Sequence, residues 1–288
     1  MMQQTETTVQ GLTGNIAALH FGSQSGFPAL CLHGWLDNAS SFTSVCRAIP
    51  AHRWISIDLP GHGHSAHRPP GCIYHFTDYV ADVYRVVKNL GFHRFNLVGH
   101  SLGAGIASAF AASFPGRVNR LVLIDGIGPI SGEDDDSLDQ FRKSMAFLDD
   151  GEVLPLSQYR SWDSLVDKRL RAGRINRSSV ETLLHRGTFR QNGKITVRSD
   201  PRLKQHSPIY MSQDKVVSIL QGISAPTLLI LAKDGLVISR KSTNRRIQAI
   251  PDLVVEEVHG HHHLHMDHPE RVAPLIERFI RSPAAGWS

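Results

Sequence analysis

The stretch from Arg94 to Ser113 constrains this chain more than any other. An apolar run, Arg94–Val98, leads into Gly99-His100-Ser101-Leu102-Gly103, and a small-residue helical pattern then runs from Leu102 until just before Pro115. A serine between two such glycines, with a strand before and a helix after, requires a very tight turn. Side chains at Gly99 and Gly103 would collide there with neighbouring backbone. The serine is held in a strained conformation with its hydroxyl exposed above a sheet. The helix beginning at Leu102 aims free N–H groups and a positive dipole end at the same place. Ser101 is therefore the candidate nucleophile. The plainer alternative is a glycine-flanked serine that only closes a strand–helix turn.

Around this stretch, short apolar runs alternate with helix-period patterns, the signature of βαβ units. Thr7–Leu12 and Asn15–Phe21 alternate and join through Thr13-Gly14, which predicts an opening hairpin. Strands are expected at Pro28–Leu32, Trp54–Asp58, Leu121–Ile124, Thr227–Ala232 and Leu253–Val258. Helices are expected at Phe76–Leu90, Arg240–Ala249 and Pro269–Arg281. The unbroken apolar run Leu121–Ile124 has the character of a strand buried on both faces.

From Ile130 to Gln213 the pattern changes, becoming more charged, richer in arginine and mainly helical. Ser178 with Glu181 is a capping-box candidate opening a short helix through Leu184. Asn192-Gly193 between Thr188–Arg190 and Ile195–Val197 is a type I′ hairpin signal. The expected organisation is a core of residues 1–129 and 214–288 with a mainly helical cap, residues 130–213. Such an insertion sits over the C-terminal edge of the sheet, where ligands bind in open α/β folds. Phe141, Phe147, Leu148, Tyr159, Trp162 and Leu165 within it are either pocket walls or ordinary helix packing.

At 288 residues, with 41% apolar and 20% charged, the chain can bury a sizeable core. No apolar run approaches the roughly twenty residues that cross a bilayer. The polar stretch Met1–Gln10 lacks the apolar segment of a secretory signal. Cys31, Cys46 and Cys72 are too few and too odd in number for a disulfide framework, so a reducing cytoplasm is expected. The net charge of +5 comes without a Lys/Arg block, which disfavours nucleic acid as a partner.

The loops at successive strand ends carry a resemblance. His33-Gly34, Asp58-Leu59-Pro60-Gly61-His62-Gly63-His64-Ser65 and Gly99-His100-Ser101-Leu102-Gly103 resemble the α/β-hydrolase superfamily. More narrowly, Cys31-Leu32-His33-Gly34-Trp35-Leu36-Asp37-Asn38-Ala39-Ser40-Ser41-Phe42 is similar to the serine hydrolase-like proteins. The resemblance spans nearly the whole core and is weakest across the insertion, where substrate choice would be written. It implies the α/β-hydrolase fold, with a mostly parallel central sheet flanked by helices and a helical cap insertion. It also implies an oxyanion hole from the backbone N–H groups of Leu102 and Trp35.

The superfamily's base lies after the last strand, in a pattern of a histidine, four residues, an acid, one residue and a proline. Within His259-Gly260-His261-His262-His263-Leu264-His265-Met266-Asp267-His268-Pro269, His262 fits with Asp267 and Pro269, and His261 and His263 are its rivals. Asp267 reads as an acidic start to the final helix. The same stretch matches a His-x-His-x-Asp-His zinc motif through His263, His265, Asp267 and His268. No His, Cys or Asp follows to complete such a site, so no metal and no cofactor is expected. The acid is Asp125, at the end of its strand, or Asp234. Asp234 lies near the superfamily's commoner position, but the usual spacing falls on Gly235. Asp125 is preferred.

A serine disfavours the dehalogenases and epoxide hydrolases of this superfamily, which use a carboxylate nucleophile. The leading reading is a carboxylesterase-like serine hydrolase acting on a small-molecule ester through an acyl-enzyme. Thioester hydrolysis, carbon–carbon bond hydrolysis and acyl transfer would use the same residues. A non-catalytic binding protein that keeps the fold remains the alternative from another class.

Overall fold

Strand residues point alternately to two faces, and in this sheet both faces are covered. The structure is a computed structural model that describes residues 4–132, 137–149, 155–237 and 242–282, with the backbone alone at 147–149. The hairpin of β1 (Thr5–Gln10) and β2 (Asn15–Gly22) joins β3 (Pro28–Leu32), β4 (Arg53–Ile57), β5 (Phe95–His100) and β6 (Val118–Ile124). With β10 (Thr227–Ala232) and β11 (Leu253–Val258) they form an eight-stranded sheet in the order β1-β2-β4-β3-β5-β6-β10-β11. The β1–β2 and β2–β4 pairs are antiparallel, and every later pair is parallel.

The helices are laid on the two faces by this alternation. Leu30, Ile55, Leu97, Leu121 and Leu229 form one core with Val83 of α2 (Phe76–Asn89), Ile106 and Phe110 of α3 (Leu102–Ser113) and Val216 of α7 (Gln213–Gln221). Their strand neighbours Ala29, Trp54, Val98, Val122 and Leu228 form the other core. It includes Val45 of α1 (Thr43–Ala48) and Val272, Ile276 and Phe279 of α10 (Pro269–Arg281). Helix α3 is buried along nearly all its length, which is why its residues are small. A Cβ at Gly105, for instance, would sit 2.9 Å from the Gly128 carbonyl. Phe110 is fully buried between these layers, and truncation to alanine would cost about 3–5 kcal/mol.

Between β6 and β10 lie α4 (Ser137–Asp149), β7 (Gln158–Tyr159), α5 (Trp162–Ala172), α6 (Arg177–Gly187), β8 (Thr188–Gln191) and β9 (Lys194–Val197). The three strands make a separate antiparallel sheet, β7-β9-β8. Asn192 and Gly193 link β8 to β9 with φ of 50° and 73°, the left-handed pair that a two-residue I′ turn needs. Leu165, Val166, Val180, Leu184 and Ile195 form a small core of their own, with Tyr159 and Trp162 packed against it. Those side chains are helix packing. Phe141 is exposed, and the side chains of Phe147 and Leu148 lie outside the described residues.

Three local expectations change. Helix α6 begins at Arg177, so Ser178 sits inside its first turn and Glu181 pairs with Arg177 at 3.2 Å instead of closing a capping box. The cap comes from a distant carboxylate. Asp267 accepts from the Asn176 N–H at 3.1 and 3.2 Å and from Ser179 Oγ at 2.6 Å. Asp267 also ends a short helix of its own, α9 (Leu264–Asp267), while α10 starts at Pro269. The helix expected at Arg240–Ala249 is α8 (Ser242–Ile247), and Arg240 lies outside the described residues. Among the described residues no helix is long and apolar enough to cross a membrane.

Candidate active site

The turn from β5 to α3 holds Ser101 at φ 52° and ψ −113°, a left-handed conformation that costs a non-glycine residue about 1–3 kcal/mol. The flanking glycines explain how it persists. A Cβ at Gly99 would lie 2.4 Å from the Gly103 carbonyl oxygen, and a Cβ at Gly103 would lie 2.0 Å from that of Leu32. The start of α3 is thereby pressed against the end of β3. The Ser101 N–H donates to the Ile124 carbonyl at 3.1 Å, which ties the turn to β6.

The loop after β3 is a second strained turn. Leu36 has φ 61°, its N–H donates to His62 Nε2 at 3.2 Å, and the Asp37 N–H donates back to the Gly34 carbonyl at 3.2 Å. His33 braces the turn: its Nδ1–H donates to the Gly34 carbonyl at 2.7 Å and its Nε2 accepts the Leu59 N–H at 2.9 Å. Burial, then the nearby His33, pushes His62 down to about 3, which keeps it a neutral acceptor. Trp35 is half exposed, and its indole N–H donates to the Leu203 carbonyl at 2.9 Å. Among the described residues the backbone N–H groups of Trp35 and Leu102 have no acceptor.

His262 and Asp125 meet at the C-terminal edge of the sheet. His262 Nδ1 lies 2.5 Å from Asp125 Oδ2, and the carboxylate is fully buried. That carboxylate also accepts the N–H groups of Ala232 at 3.3 Å and Leu236 at 3.2 Å. Asp125 itself has φ 39°, and its N–H continues the β6–β10 ladder to Ile230 at 2.8 Å. Gly235 has a direct part in this arrangement. A Cβ there would sit 2.6 Å from both oxygens of Asp125. The carboxylate from the end of β6 thus fills the space beside the position where the commoner register would place an acid.

The other candidates are elsewhere. Asp234 is exposed, donates its N–H to the Gly260 carbonyl at 3.1 Å, and its carboxylate pairs with nothing among the described residues. His261 lies on the surface side with Nδ1 3.5 Å from the Asp234 carbonyl. His263 bonds through Nε2 to Asp37 at 3.2 Å. The residues of the zinc-like spacing therefore diverge. His265 is buried against His100 and Phe42, Asp267 holds α6, and His268 Nδ1 approaches Glu270 at 3.4 Å. Among the described residues no three His, Cys, Asp or Glu side chains are placed to hold one metal ion.

Two residues to which the sequence analysis assigns no role join this group. His100 is fully buried, and its Nε2 lies 2.8 Å from the His262 carbonyl oxygen. Burial, then the neighbouring His265, His262 and His263, pushes its pKa well down, so it is neutral and Nε2 carries the proton it donates. Asp37 is buried beneath the same loop, 2.6 Å from Arg169 Nη2. Burial pushes its carboxyl up, but His263 and Arg169 outweigh that and hold it well below the ordinary range. The signals were the residue before the candidate nucleophile and a carboxylate in the loop after β3. Neither says from sequence which histidine it meets.

Comparison with known proteins supports one family. The sequence profile of the alpha/beta hydrolase fold family matches residues 28–269. The serine hydrolase-like protein of Danio rerio is 32% identical over 93% of this chain and 86% of its own. The probable serine hydrolase of Drosophila melanogaster is 34% identical over 93% of this chain and 85% of its own. A crystal structure of a hypothetical protein from Pseudomonas aeruginosa PAO1 superposes with a TM-score of 0.90 at 32% identity, covering 96% of this chain and 99% of that one. The chain belongs to the α/β-hydrolase fold family and, within it, to the serine hydrolase-like proteins.

Proposed function

We propose that this chain hydrolyses carboxylic esters by acylation of Ser101. The observation that carries the reading is the His262–Asp125 contact, 2.5 Å between Nδ1 and Oδ2, at the sheet edge where Ser101 is held at left-handed φ. With Nδ1–H donating a hydrogen bond to the Asp125 carboxylate, Nε2 of His262 is the basic nitrogen that takes the Ser101 proton. Ser101 Oγ then attacks the ester carbonyl carbon. The charge that develops on the carbonyl oxygen meets the N–H groups of Leu102 and Trp35. Collapse expels the alcohol, which His262 protonates. Water next attacks the acyl-enzyme with His262 again as base, releasing the acid and restoring Ser101. Residues 130–213 act as the cap that shapes the substrate site, and the reaction takes place in a reducing cytoplasm on a small-molecule ester.

The test is a panel of p-nitrophenyl esters of increasing acyl length. Purified wild-type chain turns over at least one of them, and Ser101→Ala, folded as judged by its unfolding curve, loses several orders of magnitude. Equal turnover by the two proteins would contradict the reading.

A further inference from the structure

The loop that carries His262 is held at more than its contact with Asp125. The His262 carbonyl accepts from His100, the residue immediately before Ser101, at 2.8 Å. His100 is lodged between this loop and the β3 loop: a Cβ at Gly34 would lie 2.9 Å from its Nδ1. The same Nδ1 stands 3.7 Å from Asp37 Oδ2. The next residue, His263, bonds to that oxygen at 3.2 Å. Consecutive histidines are therefore held by different carboxylates, His262 by Asp125 and His263 by Asp37.

The other oxygen of Asp37 faces the insertion. Arg169 of α5 reaches Oδ1 at 2.6 Å, with the aspartate side chain 1% and the arginine side chain 25% exposed. A second contact ties the insertion to the same loop, since Asp267 holds the start of α6 through Asn176 and Ser179. We propose that Asp37 and Arg169 are positioning residues for His262, so that the seating of the insertion on the core sets the reactivity of Ser101. The inference rests on the proposed roles of Ser101 and His262.

Asp37 is a buried carboxylate shared between a histidine and an arginine. Removing Arg169 leaves the buried carboxylate with the His263 contact at 3.2 Å and His100 at 3.7 Å, and a buried charge stripped of its arginine is costly unless the groups around it shift to meet it. The groups within reach are His263 and His100, and both are bound to the segment that carries His262. Displacement of a catalytic group by about 1 Å can cost on the order of 10²-fold in rate. Arg169 itself has no need to touch substrate to exert this effect.

The experiment measures the rate at which a fluorophosphonate labels Ser101, which requires no knowledge of the natural substrate. Arg169→Met keeps the aliphatic stem at a partly exposed site. It lowers the maximal labelling rate about tenfold while the half-saturating probe concentration stays unchanged. Arg169→Lys restores most of the rate, because an ammonium can still meet Asp37. Asp37→Asn is slowed at least as much, and adding Arg169→Met to it changes nothing further. A wild-type rate in Arg169→Met, equal losses in Arg169→Met and Arg169→Lys, or an additive double variant would each overturn the inference. If Asp37→Asn does not fold, the methionine and lysine variants decide alone. A wild-type chain that takes no label contradicts the proposed function instead, which keeps the two failures distinct.

Discussion

The strand ends that carry Ser101 and Asp125 and the segment between β6 and β10 are held in place in different ways. At the strand ends the device is local backbone. Ser101 and Asp125 both have left-handed φ, 52° and 39°, and Gly99, Gly103 and Gly235 leave room that any side chain would fill. The insertion is fastened by side chains that meet partners far away in sequence. Arg169 meets Asp37, Asn38 donates to the Leu183 carbonyl at 2.8 Å, and Arg186 meets Asp58 at 2.7 Å and Glu6 at 2.9 Å. The comparison teaches where each kind of change will be felt. Substitutions at the strand ends should alter rate with the fold intact, and substitutions at the fastenings should loosen the protein, with a rate effect as well only at Arg169–Asp37, which also meets the histidine loop.

Asp125→Asn should have the largest effect, a loss of about 10⁴ in kcat of the kind seen when a serine triad of another fold loses its carboxylate. Asp234→Asn should retain full activity, and steady-state kinetics on a p-nitrophenyl ester compares the two directly. The reverse order would transfer the role to Asp234 and break the comparison. Arg186→Met is the counterpart in the insertion. It leaves fully buried Asp58 without its arginine and should cost about 3–5 kcal/mol in urea unfolding. A cost within error of zero would mean the insertion is fastened elsewhere. Gly235→Ala should come next, lowering kcat roughly 10²-fold by pushing on the Asp125 carboxylate, with an overpacking cost of about 1–3 kcal/mol that leaves the chain folded. An unfolded Gly235→Ala would make the strand end a fastening as well.

Acid adds a further test, because His62 and His265 are fully buried. Burial, with His33 beside one and His263 beside the other, brings His62 and His265 down to about 3 from an ordinary value of 6.5. Between those values the unfolded chain binds protons that the folded chain refuses, so stability falls as pH falls below about 6.5. From pH 7 to pH 5 the loss should be about 2 kcal/mol per histidine in urea unfolding. His265→Leu should remove its own share and make the profile shallower, because His62 still contributes. A flat wild-type profile would mean that these rings gain partners on protonation.

What could be read from sequence follows the same division. Period-2 strands, the small-residue helix α3 and the Asn192-Gly193 turn are local patterns, and each was legible. The elbow was legible because its glycines are demanded by sterics within a few residues. Which of Asp125 and Asp234 would meet His262 was only half legible. Asp234 lies nearer the usual register, and the reason Gly235 is empty of a side chain emerges only when the Asp125 carboxylate is seen against it. Ser178 and Glu181 have the spacing of a capping box, yet α6 is capped by Asp267, 91 residues from Asn176. The partner of Asp37 is equally remote, 132 residues away in α5. No window along the chain contains both members of either pair.

The account stands most directly on one measurement, intact-mass and peptide mapping after treatment with a fluorophosphonate. It predicts a single adduct per chain, on the peptide containing Ser101, absent from Ser101→Ala and formed orders of magnitude more slowly in Asp125→Asn. No adduct on the wild-type chain, or an adduct that persists in Ser101→Ala, would contradict it.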